Sequence, residues 1–373
     1  MACFWVEDGG CSVARKWRWN ENGFTPFSSP FSLSSFSSLQ SEVKDGRAYA
    51  VSDKKCNKLY TPSRHGLTID RLISATVVLA NGTVVNASKN ENTNLFWALR
   101  GGGSNVAIAT EFRLRPVSIC GHEGFIFYNT TTRGFNATAL QDWQRWAWRS
   151  NQADGAYHSA ALHLNSSESS GAKHDVTLSF SGVFPAAFNG TSIDENEVRR
   201  RISEIAVPDA VMAVPWLEAA VLHDSPTSNA AHAWLAGSGF VKPNKGNHDG
   251  LTPIEVLDDI ASQLSRAPDT PSAWAFVAFD AMGGAVSSVA PSETVFPHRD
   301  ATEYVQYYAG LTSNDTSEIE TWEAEARPWL DKMKEAVEKA TSGKYRNTPD
   351  RLVFGATLHN IDCICGAYFN DFS

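Results

Sequence analysis

Apolar and polar residues follow different patterns on either side of residue 62. Before it, residues 24–40 are rich in Ser, Phe and Pro without helical or alternating periodicity, so residues 1–61 are predicted to be irregular. After it, two short β-branched runs flank the turn pair Asn81-Gly82, which predicts a β-hairpin. A short helix then leads into three consecutive glycines, which allow unusual dihedral angles or close backbone contacts.

The sequence beyond Pro116 mixes amphipathic helices with alternating strands, which predicts an antiparallel sheet with helices on one face. Thr252, Pro253 and Glu255 have the spacing of a capping box and predict a helix that runs through residue 264. The other predicted elements are strands at 124–128, 158–165, 175–184, 274–279, 286–289 and 304–308 and helices at 139–149, 195–205 and 317–340.

Composition places the chain among folded proteins and argues against several functions. It has 373 residues, 42% hydrophobic and 20% charged, and 41 acidic against 32 basic residues give a net charge of −9. Without a Lys/Arg run, the chain lacks the basic surface that nucleic-acid binding requires. It has no apolar run of about 18 residues to span a membrane, and its six cysteines form no CxxC pair for a metal site. We therefore expect no nucleic-acid, membrane or metal partner.

Two signals about the cellular compartment disagree. The N-terminus has acidic residues and cysteines where a signal peptide needs a basic start and an apolar run. Yet Asn-x-Ser/Thr, the acceptor sequence for N-glycosylation, occurs seven times, against roughly four expected by chance. The acceptors are Asn81, Asn86, Asn129, Asn136, Asn165, Asn189 and Asn314. They indicate a secretory origin, with ordinary surface turns as the alternative explanation.

The most specific feature is an ordered set of motifs between residues 62 and 116. It runs from HGLTID, which starts at His65, through VVLANGTVV to NLFWALRGGGSN and IATEF. This set resembles the second half of the FAD-binding domain of berberine-bridge-enzyme-like oxidoreductases, a domain of the p-cresol-methylhydroxylase type. Further on, GGAV, TVFPHR and YVQYY are similar to strands of that family's substrate domain.

The resemblance implies an α+β fold with two main parts. These are the second half of a p-cresol-methylhydroxylase-type FAD-binding domain, residues 62–118, and a substrate domain of antiparallel sheet covered by helices, residues 119–342. Residues 343–373 form a divergent tail.

The resemblance also implies a cofactor and site residues. FAD is the cofactor, and the family's sheet lies over the flavin ring, which makes Tyr304 and Tyr308 the candidate catalytic residues. The alternative is that both tyrosines pack under the helices. His298 is well placed by its motif, but we expect a hydrogen-bonded structural histidine. The candidate FAD-binding residues are Gly66, Asp70, Gly101, Gly102, Gly103, Asn105 and Ile108.

The chain departs from the family pattern in ways that bear on FAD binding. Residues 1–61 contain no Gly-Gly-His segment, whose His carries the covalent flavin in the family, and Cys56 does not lie among glycines. Any FAD is therefore expected to bind non-covalently. Ala107 replaces a family glycine and only one half-domain is recognisable, so we expect an FAD affinity weaker than micromolar.

Two functions are compatible with these observations. The first is an FAD-linked oxidase that transfers hydride from a C–H bond of a small organic substrate to flavin, with O2 as the reoxidant and secondary metabolism as one setting. The second is a truncated, non-catalytic family member that no longer binds FAD. The yellow colour of a purified flavoprotein would separate them, whereas the motifs do not identify the substrate.

Overall fold

The computed structural model describes most of the chain between residues 62 and 340. The described ranges are 62–102, 106–115, 124–132, 134–164, 175–187, 192–215, 233–243, 250–268, 272–313 and 315–340, with a few isolated positions and the backbone of several short strands. Gly103, Asn105 and the predicted tail at 343–373 lie outside them.

The elements are numbered in chain order. The strands are β1 (Cys3–Trp5), β2 (Trp17–Asn20), β3 (Gly23–Pro26), β4 (Gln40–Lys44), β5 (Arg47–Val51), β6 (Leu72–Val78), β7 (Val84–Ser88), β8 (Ile108–Leu114), β9 (Val117–Ser118), β10 (Phe125–Thr131), β11 (Tyr157–Leu164), β12 (Val176–Pro185), β13 (Ala187–Phe188), β14 (Thr191–Ser192), β15 (Ala210–Val214), β16 (Ala233–Val241), β17 (Ala273–Ala281) and β18 (Glu303–Leu311). The helices are α1 (Pro62–His65), α2 (Thr93–Leu99), α3 (Ala137–Asp154), α4 (Glu195–Ile202), α5 (Ile254–Leu264) and α6 (Thr316–Ala340).

A seven-stranded sheet, which we call the large sheet, forms the centre of the fold. Its strand order is β15-β10-β12-β11-β17-β18-β16, and every neighbouring pair is antiparallel. Helices α3, α5 and α6 bury their apolar sides on one face, where Trp143 stacks on Phe180 with ring centroids 5.8 Å apart. Burial of each large apolar side chain there contributes roughly 1.5–3 kcal/mol. The predicted α+β fold class is confirmed.

A second, smaller sheet precedes the large one in the sequence. Its order is β1-β8-β6-β7, and the β6–β7 hairpin turns at Asn81-Gly82 as predicted. Helix α2 covers one side, where Phe96 and Leu99 pack with Ala75 and Val77 in a separate core. This small sheet therefore has its own hydrophobic core.

Strands β1–β5 lie within residues 1–61, where an irregular segment was predicted, and two further local predictions were wrong. The predicted strand at 286–289 is a 3-10 turn, Gly284–Val286, because Val286 bonds back to Gly283 and buries its side chain. The predicted capping box is absent because Pro253, not Thr252, directly precedes helix α5, and no side chain caps it. Thr252 is instead fully buried.

Candidate active site

The candidate site lies on what we call the open face, the side of β11, β17, β18 and β16 opposite the helices. Alternation places every second residue of each strand on this face. The register aligns these residues in rows across β17 and β18: Asp280 with Tyr304, Ala278 with Gln306, Phe276 with Tyr308, and Trp274 with Gly310.

Both candidate catalytic tyrosines lie on the open face. Tyr304 and Tyr308 are half-buried, whereas Tyr307 between them is buried in the core beneath the helices. The structure therefore places Tyr304 and Tyr308 away from the helices, and their catalytic role stays a prediction.

A chain of hydrogen bonds converges on the carboxylate of Asp280. The Tyr157 hydroxyl donates to Oδ1 over 2.6 Å, and the Gln306 amide donates from Nε2 to Oδ2, also over 2.6 Å. The Tyr308 hydroxyl in turn donates to Oε1 of Gln306 over 2.7 Å. Both carboxylate oxygens of Asp280 therefore accept a hydrogen bond, and Tyr308 is linked to them through Gln306.

Aromatic side chains form a platform beside this network. The aromatic platform comprises Trp234, Trp274, Phe276 and Tyr308. Phe276 stacks on Tyr308 at 4.9 Å and on Trp274 at 5.7 Å, and Trp234 lies 6.1 Å from Tyr308. Gly310 allows this arrangement, because a Cβ there would collide with the indole of Trp274. The platform therefore offers broad ring faces next to a proton acceptor.

A histidine borders the platform on strand β11. The ring of His163 lies 6.2 Å from that of Phe276, and its Nε2 is 3.2 Å from the hydroxyl of Ser179. Burial lowers the pKa of His163, so the ring is neutral at pH 7 and offers one donor and one acceptor.

The other end of the open face is closed by packing. Tyr304 stacks on Phe240 with centroids 4.8 Å apart, and His298 stacks on the same ring at 4.3 Å. Burial lowers the pKa of His298 to about 3, with a further contribution from Lys242. A neutral imidazole buried between aromatic rings fits the structural role predicted for His298.

Asp70, a candidate FAD-binding residue, joins the two sheets. Its carboxylate receives two hydrogen bonds from the Arg299 guanidinium, at 2.7 and 2.8 Å, and a third from the Leu67 amide at 2.8 Å. Arg299 is only 2% exposed and also donates to the Thr294 hydroxyl. This buried ion pair occupies both carboxylate oxygens of Asp70.

Gly101 and Gly102 also contribute to packing within the chain. Gly101 has φ +128°, and a Cβ there would come within 2.9 Å of the Phe296 amide nitrogen. At Gly102 a Cβ would come within 2.6 Å of the Ala98 carbonyl oxygen. Both positions require glycine for contacts the chain makes with itself, independently of a cofactor.

The remaining candidate FAD-binding residues are scattered. Gly66 follows helix α1, with φ +78°, close to the side chain of Asp70. Ile108 is 71% exposed at the start of β8. Gly103 and Asn105 lie outside the described residues. The FAD-binding assignments stay predictions.

Sequence reasoning missed Asp280 and Tyr157. Asp280 is an acidic residue near the end of the apolar strand AWAFVAFDA. Because acidic residues are rarely buried without a partner, this position could have indicated a functional or paired carboxylate. Tyr157 carries no comparable signal. The described residues hold no cluster of His, Cys, Asp or Glu that could bind a metal ion, and no helix among them is long and apolar enough to span a bilayer.

A second buried acid, Glu303, lies on the helix-covered face of the large sheet. It is 2% exposed and accepts a hydrogen bond from Gln144 of helix α3 over 2.7 Å. Burial raises its pKa to about 8; the bond from Gln144 opposes this rise and the charge of Asp280 adds to it. Glu303 is therefore protonated at neutral pH.

This raised pKa predicts a stability that falls as pH rises. Between the unfolded pKa of about 4.5 and the folded value of about 8, the folded state binds the extra proton. The free energy of unfolding should therefore fall by up to about 1.4 kcal/mol per pH unit in that window. Urea titrations from pH 5 to 8 should show a flatter dependence for Glu303→Gln. Asp142→Asn, at an exposed acid on helix α3, should keep the wild-type slope, and equal slopes for wild type and Glu303→Gln would contradict the assignment.

Comparison with known proteins connects this geometry to a family. The FAD-linked oxidoreductase sorD of Penicillium rubens is 28% identical over 302 residues, covering 80% of this chain and 58% of the relative. Chitooligosaccharide oxidase of Gibberella zeae is 25% identical over 310 residues, covering 77% of this chain and 56% of the relative. These matches confirm the resemblance to berberine-bridge-enzyme-like FAD-linked oxidoreductases. No family model matches the chain.

Solved structures of this family share the fold. A chitooligosaccharide oxidase superposes with a TM-score of 0.59 at 18% identity, over 82% of this chain and 69% of that one. Berberine bridge enzyme in complex with (S)-reticuline gives a TM-score of 0.58 at 18% identity, over 81% and 56%. The curated relatives are longer proteins. Each match covers most of this chain but only somewhat over half the length of the relative.

Proposed function

We propose that this chain is an oxidase of the berberine-bridge-enzyme-like family that oxidises a hydroxyl-bearing carbon of a carbohydrate and uses exchangeable FAD. The observation that carries the proposal is the position of Asp280. Its carboxylate accepts hydrogen bonds from Tyr157 and Gln306 and lies two residues from the half-buried Ala278 on the open face. A proton acceptor and a flat binding surface therefore occur side by side.

Asp280 is the proposed acceptor of the substrate's hydroxyl proton. Oxidation of an alcohol to a carbonyl removes a hydride from carbon and a proton from oxygen, and a positioned carboxylate assists the second loss. Tyr308 donates a hydrogen bond to Gln306, which in turn donates to Asp280, so the two residues are connected across the open face. The two residues would thereby fix the hydroxyl that reacts.

FAD, when bound, supplies the hydride acceptor, and O2 restores it with release of hydrogen peroxide. One row across the open face, between the closed end and the aromatic platform, carries small side chains on both sides of Gln306, which leaves room for a flat ring beside it. These side chains are Ala161, Ala278, Ser179 and Ser238.

The aromatic platform favours a carbohydrate substrate. Sugar rings present apolar C–H faces that stack on aromatic side chains, while His163 and Ser179 offer hydrogen-bonding groups to ring hydroxyls. Relatives of this chain include glucooligosaccharide, chitooligosaccharide and xylooligosaccharide oxidases. The platform, beside the acid network, supports the same substrate class here.

The non-catalytic alternative rests on the contacts of Asp70 and Gly101. Both were candidate FAD-binding residues, and both contact the segment 294–299 instead. If these contacts replace those to a cofactor, FAD affinity falls tenfold for each 1.4 kcal/mol lost.

FAD uptake by the full chain separates the two functions. We expect purified protein to stay colourless in micromolar FAD, to take up FAD at much higher concentration, and to release it completely on acid precipitation. Peroxide should then form only when an oligosaccharide and excess FAD are both present. Stoichiometric uptake at micromolar FAD would contradict the weak affinity, and yellow colour in the acid pellet would contradict non-covalent binding. Absence of peroxide at saturating FAD would favour the non-catalytic alternative.

A further inference from the structure

Four of the seven N-glycosylation sequences lie in described residues, in four different settings. Their acceptors are Asn81, Asn86, Asn129 and Asn136. A glycan is bulky and hydrophilic, so its asparagine must keep its side-chain nitrogen at the surface in the folded protein. The surroundings of each asparagine therefore discriminate among them.

Asn81 has the most accessible setting, at the tip of the β6–β7 hairpin. It is exposed, and its side-chain Oδ1 accepts a hydrogen bond from the Thr83 amide over 3.0 Å. This Asx-turn fixes the side chain through its oxygen and leaves Nδ2 pointing away from that contact. A Cβ placed at Gly82 would meet no atom within 4 Å, so the space around the turn is open.

Asn129 has the least accessible setting. It lies within β10, between Ser181 of β12 and Ala210 of β15, and its Oδ1 is buried. Its side chain projects from a face of the large sheet and is only half-exposed there, so neighbouring groups cover the site where a glycan would attach. Asn129 is therefore incompatible with glycosylation in the folded protein.

The other two asparagines use their side chains in secondary structure. Asn86 lies in β7 opposite Thr76, whose hydroxyl donates to the Asn86 side chain over 3.0 Å. Asn136 caps helix α3 by accepting the Ala139 amide, also over 3.0 Å. Both are exposed and use only Oδ1, so a glycan at Nδ2 is compatible with these contacts, although neither position lies at a turn as open as that of Asn81.

We propose that Asn81 carries an N-linked glycan and that the protein accordingly passes through the lumen of the endoplasmic reticulum. The surface beside the turn gives this glycan a physical role. Val84 and Ile108 are 63% and 71% exposed, and both lie opposite Val78 across the hairpin end of the small sheet. In the part of the chain that the structure describes, strand β7 is also an edge strand of the small sheet. A glycan at Asn81 would cover this apolar edge and limit edge-to-edge association.

Glycopeptide mapping tests the proposal. The protein would be purified from its native cells and, in parallel, produced as the full chain behind a cleavable secretion signal in yeast. Peptide:N-glycosidase in heavy-oxygen water converts each glycosylated Asn to labelled Asp, which mass spectrometry locates. We expect label at Asn81 in most molecules and none at Asn129. Unlabelled Asn81 in folded native protein, or label at Asn129, would overturn the proposal.

Matched variants assign the glycan to its acceptor sequence. Asn81→Gln and Thr83→Ala should each remove one glycan from the yeast-produced protein, whereas Thr83→Ser should retain it, since serine also completes the acceptor sequence. Asn129→Gln should leave the glycan count unchanged. If Asn81→Gln and Thr83→Ala migrate like the wild type before and after glycosidase treatment, Asn81 is not the acceptor. This result does not depend on FAD or on oxidase activity.

Discussion

Replacing Asp280 with asparagine is expected to lower the rate of peroxide formation by about 10²- to 10⁴-fold, the usual contribution of a positioned general base. Asparagine keeps the size of the side chain and can still accept the Tyr157 hydroxyl bond, but it cannot take up a proton. The measurement is the oligosaccharide-dependent rate at saturating FAD. The affinity for the oligosaccharide, measured by calorimetry, should change little.

Glu303→Gln is the matched control for this variant. It makes the same carboxylate-to-amide change in the same sheet, but Glu303 points toward helix α3 and contacts Gln144. Its rate should stay within a few-fold of the wild type. Equal losses in both variants would mean that any buried acid of this sheet supports the rate indirectly, and Asp280 would not be the base.

Replacing Asp70 with alanine is expected to destabilise the protein by about 3–5 kcal/mol, because it leaves the Arg299 charge buried without its partner. The side chains of Asp70 and Arg299 are only 10% and 2% exposed, so water cannot replace the lost contact. Chemical denaturation of the apoprotein gives the free energy of unfolding directly.

An exposed ion pair provides the comparison. Asp142 and Arg145 on helix α3 are 58% and 41% exposed at their side chains, and Asp142→Ala should cost less than about 1 kcal/mol. The double variant Asp70→Leu, Arg299→Met should recover part of the stability lost in Asp70→Ala, because it removes both charges together. A loss at Asp70 as small as that at Asp142 would show that the pair does not hold the two sheets together.

Local sequence patterns predicted most of the elements because their signals are local. The Asn81-Gly82 turn needs only its two flanking strands, and helix α3 shows its buried side through Leu140, Trp143 and Ala147. Strand β16, with the sequence AWLAGSGFV, was not predicted. Its buried and half-buried positions alternate, but many of them hold small residues, so the sequence shows no alternation of apolar and polar side chains.

The candidate site was less predictable because it depends on strand register. Tyr157 and Asp280 are 123 residues apart in the sequence, and no local pattern shows that they meet. The family motif marked Asp70 as a candidate site residue, but it gave no sign that Arg299 binds the Asp70 carboxylate. Both contacts arise from the packing of distant segments.

The strand order of the large sheet has a consequence for synthesis in the cell. Strand β18 lies between β16 and β17, and β17 in turn pairs with β11, so the strands of the candidate site can be joined only after β18 has been synthesised. At roughly 5–20 residues per second, β16 leaves the ribosome several seconds before β18 can pair with it. High contact order of this kind slows folding and keeps strand edges exposed meanwhile. Nascent chains ending before residue 311 should therefore be protease-sensitive and dependent on chaperones, however stable the finished sheet is.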